Sequence, residues 1–365
     1  MHKLHNIDMS DLGLSKNMKA QAALYMDLHL GRIISQSRDL YRVITEQGEA
    51  TAEVSGKFRF SVQTPADYPA VGDFVLLDRA GHAEGHPIIH HVLLRKSVFI
   101  RRASGTAHHE QVVAANIDTV FICMSLNRDY NLRRVERYLG IAWDSGAVPV
   151  LVLTKADLCD DLSHKLEELR KIAPGVDILV TSSLTEEGHL AVLPYLGRGE
   201  TVAFLGSSGV GKSTLINRLM GAEILETKEI RKDQRGRHTT TRRELLLLPG
   251  GGMVIDTPGM RELGIESADL AKTFADIQEL AGMCRFRDCT HTKEPFCAVR
   301  QAIEEGSLSE ERLESYGKLQ KEARYEGLNS RQIESEKIAT MFAELGGIKN
   351  ARRLAKEKNR RRGGY

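Results

Sequence analysis

Two short runs carry residue types suited to holding a nucleotide. GSSGVGKS, Gly206 to Ser213, follows the apolar strand TVAFL and opens an apolar helical stretch. A glycine-rich turn at such a junction lets backbone N–H groups cradle phosphates, with Lys212 reaching the β and γ phosphates and Ser213 ligating Mg²⁺. A glycine turn that only starts a helix is the plainer alternative, and the strand-to-helix context argues against it. The candidate phosphate-binding residues are Gly206, Ser207, Ser208, Gly209, Val210, Gly211, Lys212, Ser213 and Thr214. TKAD, made of Thr154, Lys155, Ala156 and Asp157, ends the apolar run VPVLVL. The Asp157 carboxylate suits the N1–H and N2–H₂ donors of guanine, and the Lys155 stem can cover the ring. Adenine offers no such donor pair, so the tetrapeptide favours GTP over ATP. Taken alone, Asp157 could equally be a helix cap. Ser182 and Ser183 end the following strand, where a backbone N–H can meet guanine O6 or merely shape a turn.

The order of these runs is inverted. Guanine-nucleotide switches usually place the phosphate loop first and the guanine-reading tetrapeptide late, so the chain reads as a circular permutation. DTPG, Asp256 to Gly259, ends the short apolar run MVI. Asp256 is placed to hold Mg²⁺ through water and the Gly259 N–H to meet the γ phosphate, although the same residues also build ordinary turns. GRHTTT, Gly236 to Thr241, falls between phosphate loop and DTPG, where a Mg²⁺-ligating threonine belongs. Thr240 is the choice, with Thr239 as the alternative, so the magnesium set is Ser213, Thr240 and Asp256. Many GTPases orient water with a Gln directly after the DxxG glycine, and here that position is Met260. His238 is the nearest polar substitute, either a water-orienting group or a solvated loop histidine. His238, Lys212 and Thr240 form the candidate catalytic set.

CRFRDCTHTKEPFC has the spacing C-x₄-C-x-H-x₅-C, so Cys284, Cys289, His291 and Cys297 can close a tetrahedral shell around Zn²⁺. Four protein ligands leave no position for water, which makes such a metal structural. Five cysteines, an odd number, argue against a disulfide framework, and Cys123 and Cys159 read as packing or surface residues.

The elements that must position these residues follow from periodicity. From His29 to about Arg101 the chain runs in short β-rich pieces, HLGRIISQ, LYRVIT, ATAEVSG, KFRFSVQ, GDFVLLD, HPIIHHVLL and SVFIR, as in a small closed barrel. An OB fold suits that length, although alternation alone does not exclude another small barrel. The first ~25 residues read as a weakly helical, mobile extension. From Asp118 apolar strands alternate with helical stretches, which implies parallel βα units with ligands at the strands' carboxyl ends. After Gly264 the pattern is helical and charged. The chain is 365 residues with 41% apolar and 27% charged residues, enough for two or three domains, and it shows neither a membrane span nor a signal-peptide core. A cytosolic protein is expected. Lys349 to Tyr365 carries eight Lys or Arg against Glu357 alone, so a net charge of +2 leaves the remainder acidic. That tail is either a solvated end or a phosphate-neutralising one, and beside a barrel it suggests a large RNA target.

With the permuted order, the barrel, GRHTTT, DTPG and the cysteine window together, the chain resembles the RsgA (YjeQ-type) family of small ribosomal subunit biogenesis GTPases over about residues 29–330. The resemblance implies a multidomain α/β protein: an OB-fold β barrel that binds RNA over 29–108, a circularly permuted P-loop GTPase domain over 109–268 and a C-terminal helical zinc-binding domain over 269–335; the N-terminal extension over 1–28 and the basic tail over 336–365 are less typical of that family. It further implies GTP hydrolysis stimulated by the small subunit, late in that subunit's maturation, with one structural Zn²⁺ and with Mg²⁺ alongside GTP. Expected partners are the small ribosomal subunit with its rRNA and GTP or GDP, with no membrane and a monomeric chain. The family's suspected catalytic histidine matches His238. Thr154 stands where Asn is usual, and its hydroxyl still offers a tie to the phosphate loop. Two other readings remain open from sequence: an RNA-associated module that binds GTP with little hydrolysis, and a translation-associated GTPase.

Overall fold

The computed structural model describes residues 7–81, 85–102, 110–127, 130–182, 188–225, 243–256 and 273–324. Ser183, the GRHTTT run with His238, Thr239 and Thr240, Gly259, Met260 and the tail over 336–365 lie outside those residues.

Five strands form the N-terminal barrel: β1 (His29–Ser37), β2 (Leu40–Thr45), β3 (Gly48–Val54), β4 (Phe74–Leu77) and β5 (Ile88–Val92). The order β1-β2-β3-β5-β4 closes through a direct β1–β4 pairing, with β3 and β5 parallel and the other neighbours antiparallel. This is an OB-like closure, and its interior holds Ile33, Val43, Ala52, Val75, Leu77 and Ile89. KFRFSVQ is not a strand. Ser55 Oγ accepts from the Phe58 N–H at 3.0 Å and starts helix α2 (Gly56–Ser61), so a cap overrides the alternating pattern. SVFIR forms β6 (Val98–Arg102), which pairs outside the barrel with β7 (Glu110–Ala115), and the hairpin therefore straddles residue 108.

The second layer is a sheet of β8 (Thr119–Ser125), β9 (Val148–Thr154), β10 (Asp177–Val180), β11 (Thr201–Leu205), β12 (Glu244–Leu247) and β13 (Met253–Asp256). Its order is β10-β9-β8-β11-β13-β12, parallel except for β12. Alternate residues feed two cores, as expected when both faces of a parallel sheet are covered. Ile122, Leu151, Leu153 and Ala203 meet α3 (Leu132–Ser145) and α4 (Leu162–Ile172). Phe121, Val150, Val152 and Phe204 meet α5 (Lys212–Met220) on the opposite side. A single β1–β12 bridge, Ser35 against Glu244, joins barrel and sheet. Helices α6 (Ala275–Gly282), α7 (Ala298–Glu304) and α8 (Glu310–Arg324) pack around Phe274, Ile277, Val299 and Leu308 in a third unit. No helix among the described residues is long and apolar enough to cross a membrane.

The expected mobile extension does not hold for residues 7–28. Met9, Leu12 and Met18 are buried in the main core beside Val71 and Phe74, and the short helix α1, Lys16–Ala22, starts on a Ser15 cap. Where this segment meets the barrel and the mostly parallel sheet lies Arg32, a β1 residue that is fully buried. Its guanidinium donates to the carbonyls of Leu12, Gly72 (3.2 Å) and Asn116 (3.2 Å) and to Thr201 Oγ1 (3.0 Å), and it sits 5.0 Å over the Phe74 ring. Burial lowers its pKa to about 10, opposed by the nearby charges of Asp118 and Asp73. One cation thus ties four segments together. Arg32→Met should strand those acceptors and lower the free energy of unfolding by about 3–5 kcal/mol, read from denaturant midpoints. A loss below about 1 kcal/mol would show that the brace is dispensable.

Candidate nucleotide and metal sites

Strand β8 separates the two strands whose ends carry TKAD and the phosphate loop, so the loop has to cross over the end of β8 to reach TKAD. Gly206 makes that crossing possible. Its φ is +148°, and a Cβ there would lie 2.5 Å from the Cys123 carbonyl oxygen. The loop then turns through Gly209 (φ +82°) and Gly211 (φ +105°) into α5, whose first backbone N–H groups face the loop as an anion-binding helix start does. Lys212, only 6% exposed, donates to the carbonyls of Gly206 and Ser207 at 2.7 Å each. Cys123 lies beneath, and burial pushes its thiol up to about 12 against the pull of Lys212. It is an inert packing residue rather than a nucleophile.

TKAD meets the loop by two hydrogen bonds. Thr154 Oγ1 donates to the Val210 carbonyl, and Lys155 Nζ donates to the Gly209 carbonyl at 2.8 Å. Lys155 has a left-handed backbone, φ +58°, which turns the chain sharply off β9 so that its side chain lies over the loop. Parallel pairing of β9 with β10 continues as the Thr181 N–H donates to Leu153 and the Ala156 N–H to Thr181. Ser182 Oγ is thereby brought to donate to the Asp157 carboxylate. Asp256 ends β13, next to β11 in the sheet and in register with Glu244 of β12. Thr154 to Asp157, Ser182, the phosphate loop and Asp256 therefore all lie at the carboxyl ends of neighbouring strands, the usual ligand edge of an open α/β sheet. The arrangement can hold a nucleotide with its base against Asp157 and its phosphates against Lys212.

One neighbour of this site has no sequence signature. Arg134, in the first turn of α3, donates from Nη1 to Ser207 Oγ at 3.1 Å. In LRRVERYL it reads as any solvated helix arginine, and only the fold brings it to the loop.

The second site is the cysteine window. The ligand atoms of Cys284, Cys289, His291 and Cys297 lie within 4.8 Å of one another. Cys284 and Cys297 Sγ are 3.8 Å apart, and His291 Nδ1 is 3.7 Å from Cys284 and 3.5 Å from Cys297. Tetrahedral Zn²⁺ with bonds of about 2.3 Å to sulfur and about 2.05 Å to nitrogen requires S···S near 3.8 Å and S···N near 3.6 Å. The residues fit that ion. Burial would raise the Cys284 thiol, but the backbone amides of Val299 and Ala298 and the neighbouring thiols bring it below its ordinary value. Burial pushes Cys289 up to about 11, with the Cys297 and Cys284 thiols adding to the rise against the His291 amide. Crowded thiols resist ionising together, and a dication removes that resistance. Burial lowers the pKa of His291, which suits a neutral ligand. Glu294 accepts from the Thr290 hydroxyl and from the N–H groups of Thr290 (2.9 Å), Thr292 (2.9 Å) and Lys293 (3.0 Å), fixing the loop that presents His291 and holding its own carboxyl well below the usual range.

A family model for the RsgA GTPase matches residues 92–266. The small ribosomal subunit biogenesis GTPase RsgA 2 of Lactiplantibacillus plantarum is 52% identical over 347 residues, covering 95% of this chain and 98% of that protein. The RsgA of Methanosarcina acetivorans is 42% identical, over 91% of each chain. The crystal structure of YjeQ from Thermotoga maritima superposes with a TM-score of 0.59 at 30% identity, over 81% of this chain and 98% of that one. YloQ, described as a circularly permuted GTPase, shares the fold with a TM-score of 0.57. Identity at this level over nearly the full length, together with the permuted strand-end geometry, means that the chain belongs to the RsgA family of GTPases.

Proposed function

We propose that this GTPase binds the small ribosomal subunit in the cytoplasm and acts late in its maturation, hydrolysing GTP faster when docked on the subunit. The observation that carries the reading is the meeting of TKAD with the phosphate loop, through Thr154 with Val210 and Lys155 with Gly209. It is supported by relatives named for small-subunit biogenesis across most of the chain.

In this reading Thr154, Lys155, Ala156 and Asp157 grip guanine, with Ser182 and Ser183 beside it. Gly206 to Thr214 cradle the phosphates, and Gly259 meets the γ phosphate. Ser213, Thr240 and Asp256 hold Mg²⁺, which would neutralise charge developing on the transferred phosphoryl group. Lys212 supplies positive charge to the same oxygens. His238 orients the attacking water, Met260 having no group to do so. Cys284, Cys289, His291 and Cys297 hold one structural Zn²⁺. The OB-like barrel and the basic tail offer surfaces to rRNA.

GTP turnover titrated with purified small subunits should rise at least about tenfold, and His238→Ala should remove most of that rise. No stimulation would overturn the small-subunit reading; full stimulation of His238→Ala would end the role of that histidine alone. The metal has a separate test. Purified protein should carry about one zinc per chain, and Cys289→Ser should lose the metal together with helical order over residues 273–324. Retained fold without zinc, by metal assay and circular dichroism, would refute a structural ion.

A further inference from the structure

Helix α3 touches two places that the nucleotide reading leaves unconnected. Its first turn, capped by Asn131 Oδ1 accepting from the Arg134 N–H at 3.0 Å, carries Arg134, which holds Ser207 of the phosphate loop. Two residues on, a spacing of about 200° around a helix, Glu136 projects to the other side. Glu136 is 2% exposed and accepts from Arg312 at 2.7 Å and from Ser315 Oγ, both on α8. Arg312 in turn forks onto Asp276 at 2.7 and 2.9 Å, donates to the Thr273 carbonyl at 3.0 Å and lies 4.9 Å over the Phe274 ring. Arg133 reaches Glu314 at 3.3 Å on the exposed rim of the same seam.

A carboxylate buried this deeply cannot part from its guanidinium without exposing a desolvated charge, so α8 has to follow α3. The body of α3 is equally committed, with Val135, Leu139 and Ala142 packed in the main core. A displacement of Ser207 is therefore passed to Arg134 at one end of a rigid turn and leaves it through Glu136 at the other.

We propose that α3 couples the phosphate loop to the Cys/His domain, with Arg134 as the positioning residue on the loop side and the Glu136–Arg312 pair as the output. The route runs through packed structure and needs no signal along the connection between Asp256 and Thr273. It rests on GTP binding at the phosphate loop and is independent of the small subunit. Because coupling is reciprocal, opening the seam weakens nucleotide binding by the factor with which bound nucleotide stabilises the seam.

The test is amide hydrogen exchange over Glu310–Gln320 in the full-length, zinc-loaded protein, with and without a saturating non-hydrolysable GTP analogue. Occupancy is checked by measuring bound nucleotide. Ordering of the loop should slow exchange in the wild-type chain by about fivefold. Arg134→Ala, saturated with the same analogue, should respond by less than about 1.5-fold, and Arg134→Lys should recover part of the response by keeping a donor near Ser207. Arg312→Lys should weaken analogue affinity by a factor close to the lost exchange response. A full response in saturated Arg134→Ala, or no response in the saturated wild-type chain, overturns the proposal and leaves GTP binding intact. Failure of the wild-type chain to bind the analogue overturns both.

Discussion

The nucleotide site depends on one close approach: the backbone of Gly206 crossing the Cys123 carbonyl at the end of β8. No residue with a Cβ fits there. Without the crossing, the phosphate loop would rise off β11 and stay two strand spacings, about 9.6 Å, from TKAD, with β8 between them. With it, the hydroxyl of Thr154 and the ammonium of Lys155 both reach loop carbonyls. Permuting the chain leaves this contact unchanged, because strand order in the sheet decides which ends meet. What permutation changes is sequence continuity: the strand ending in Asp256 is now followed by the segment leading to the Cys/His domain.

Around that site, buried cations bind the units to one another. Arg32 gathers the N-terminal segment, barrel and nucleotide sheet, and Arg312 gathers α3 and the C-terminal helices. Both are arginines with several donors spread over different segments, a geometry a lysine ammonium cannot copy. Both also stand over a phenylalanine ring, Phe74 and Phe274 respectively. Such junctions transmit displacement because partners such as Thr201, Glu136 and Thr273 are buried and have no solvent to turn to. A second joint links barrel to sheet at the surface, where Arg42 forks between Glu49 of the barrel and Glu244 of β12.

What could be read from sequence was local chemistry. The phosphate loop, TKAD and the cysteine window each combine fixed spacing with residue types that few other roles require. The barrel was legible as alternation, except at KFRFSVQ, where Phe58 and Phe60 alternate with basic residues yet Ser55 caps a helix. Met9, Leu12 and Met18 gave too sparse a pattern to signal burial, although a core already formed by Val71 and Phe74 accepts them. Arg32, Arg134 and Glu136 were illegible for a different reason. Each is an ordinary charged residue in its own element, and its importance comes from partners 20 to 169 residues away for Arg32, 73 for Arg134 and 176 for Glu136. Long-range polar contacts leave no periodicity to read.

The central claim is that one pocket takes the base at Asp157 and the triphosphate at Lys212, from segments in reversed chain order. Equilibrium binding of guanosine and xanthosine triphosphates to Asp157→Asn tests it most directly. An amide presents a donor where the carboxylate presented an acceptor, so affinity for GTP should fall at least about 100-fold while xanthosine triphosphate gains. An unchanged preference for guanosine would contradict the account, because the base would then be read elsewhere.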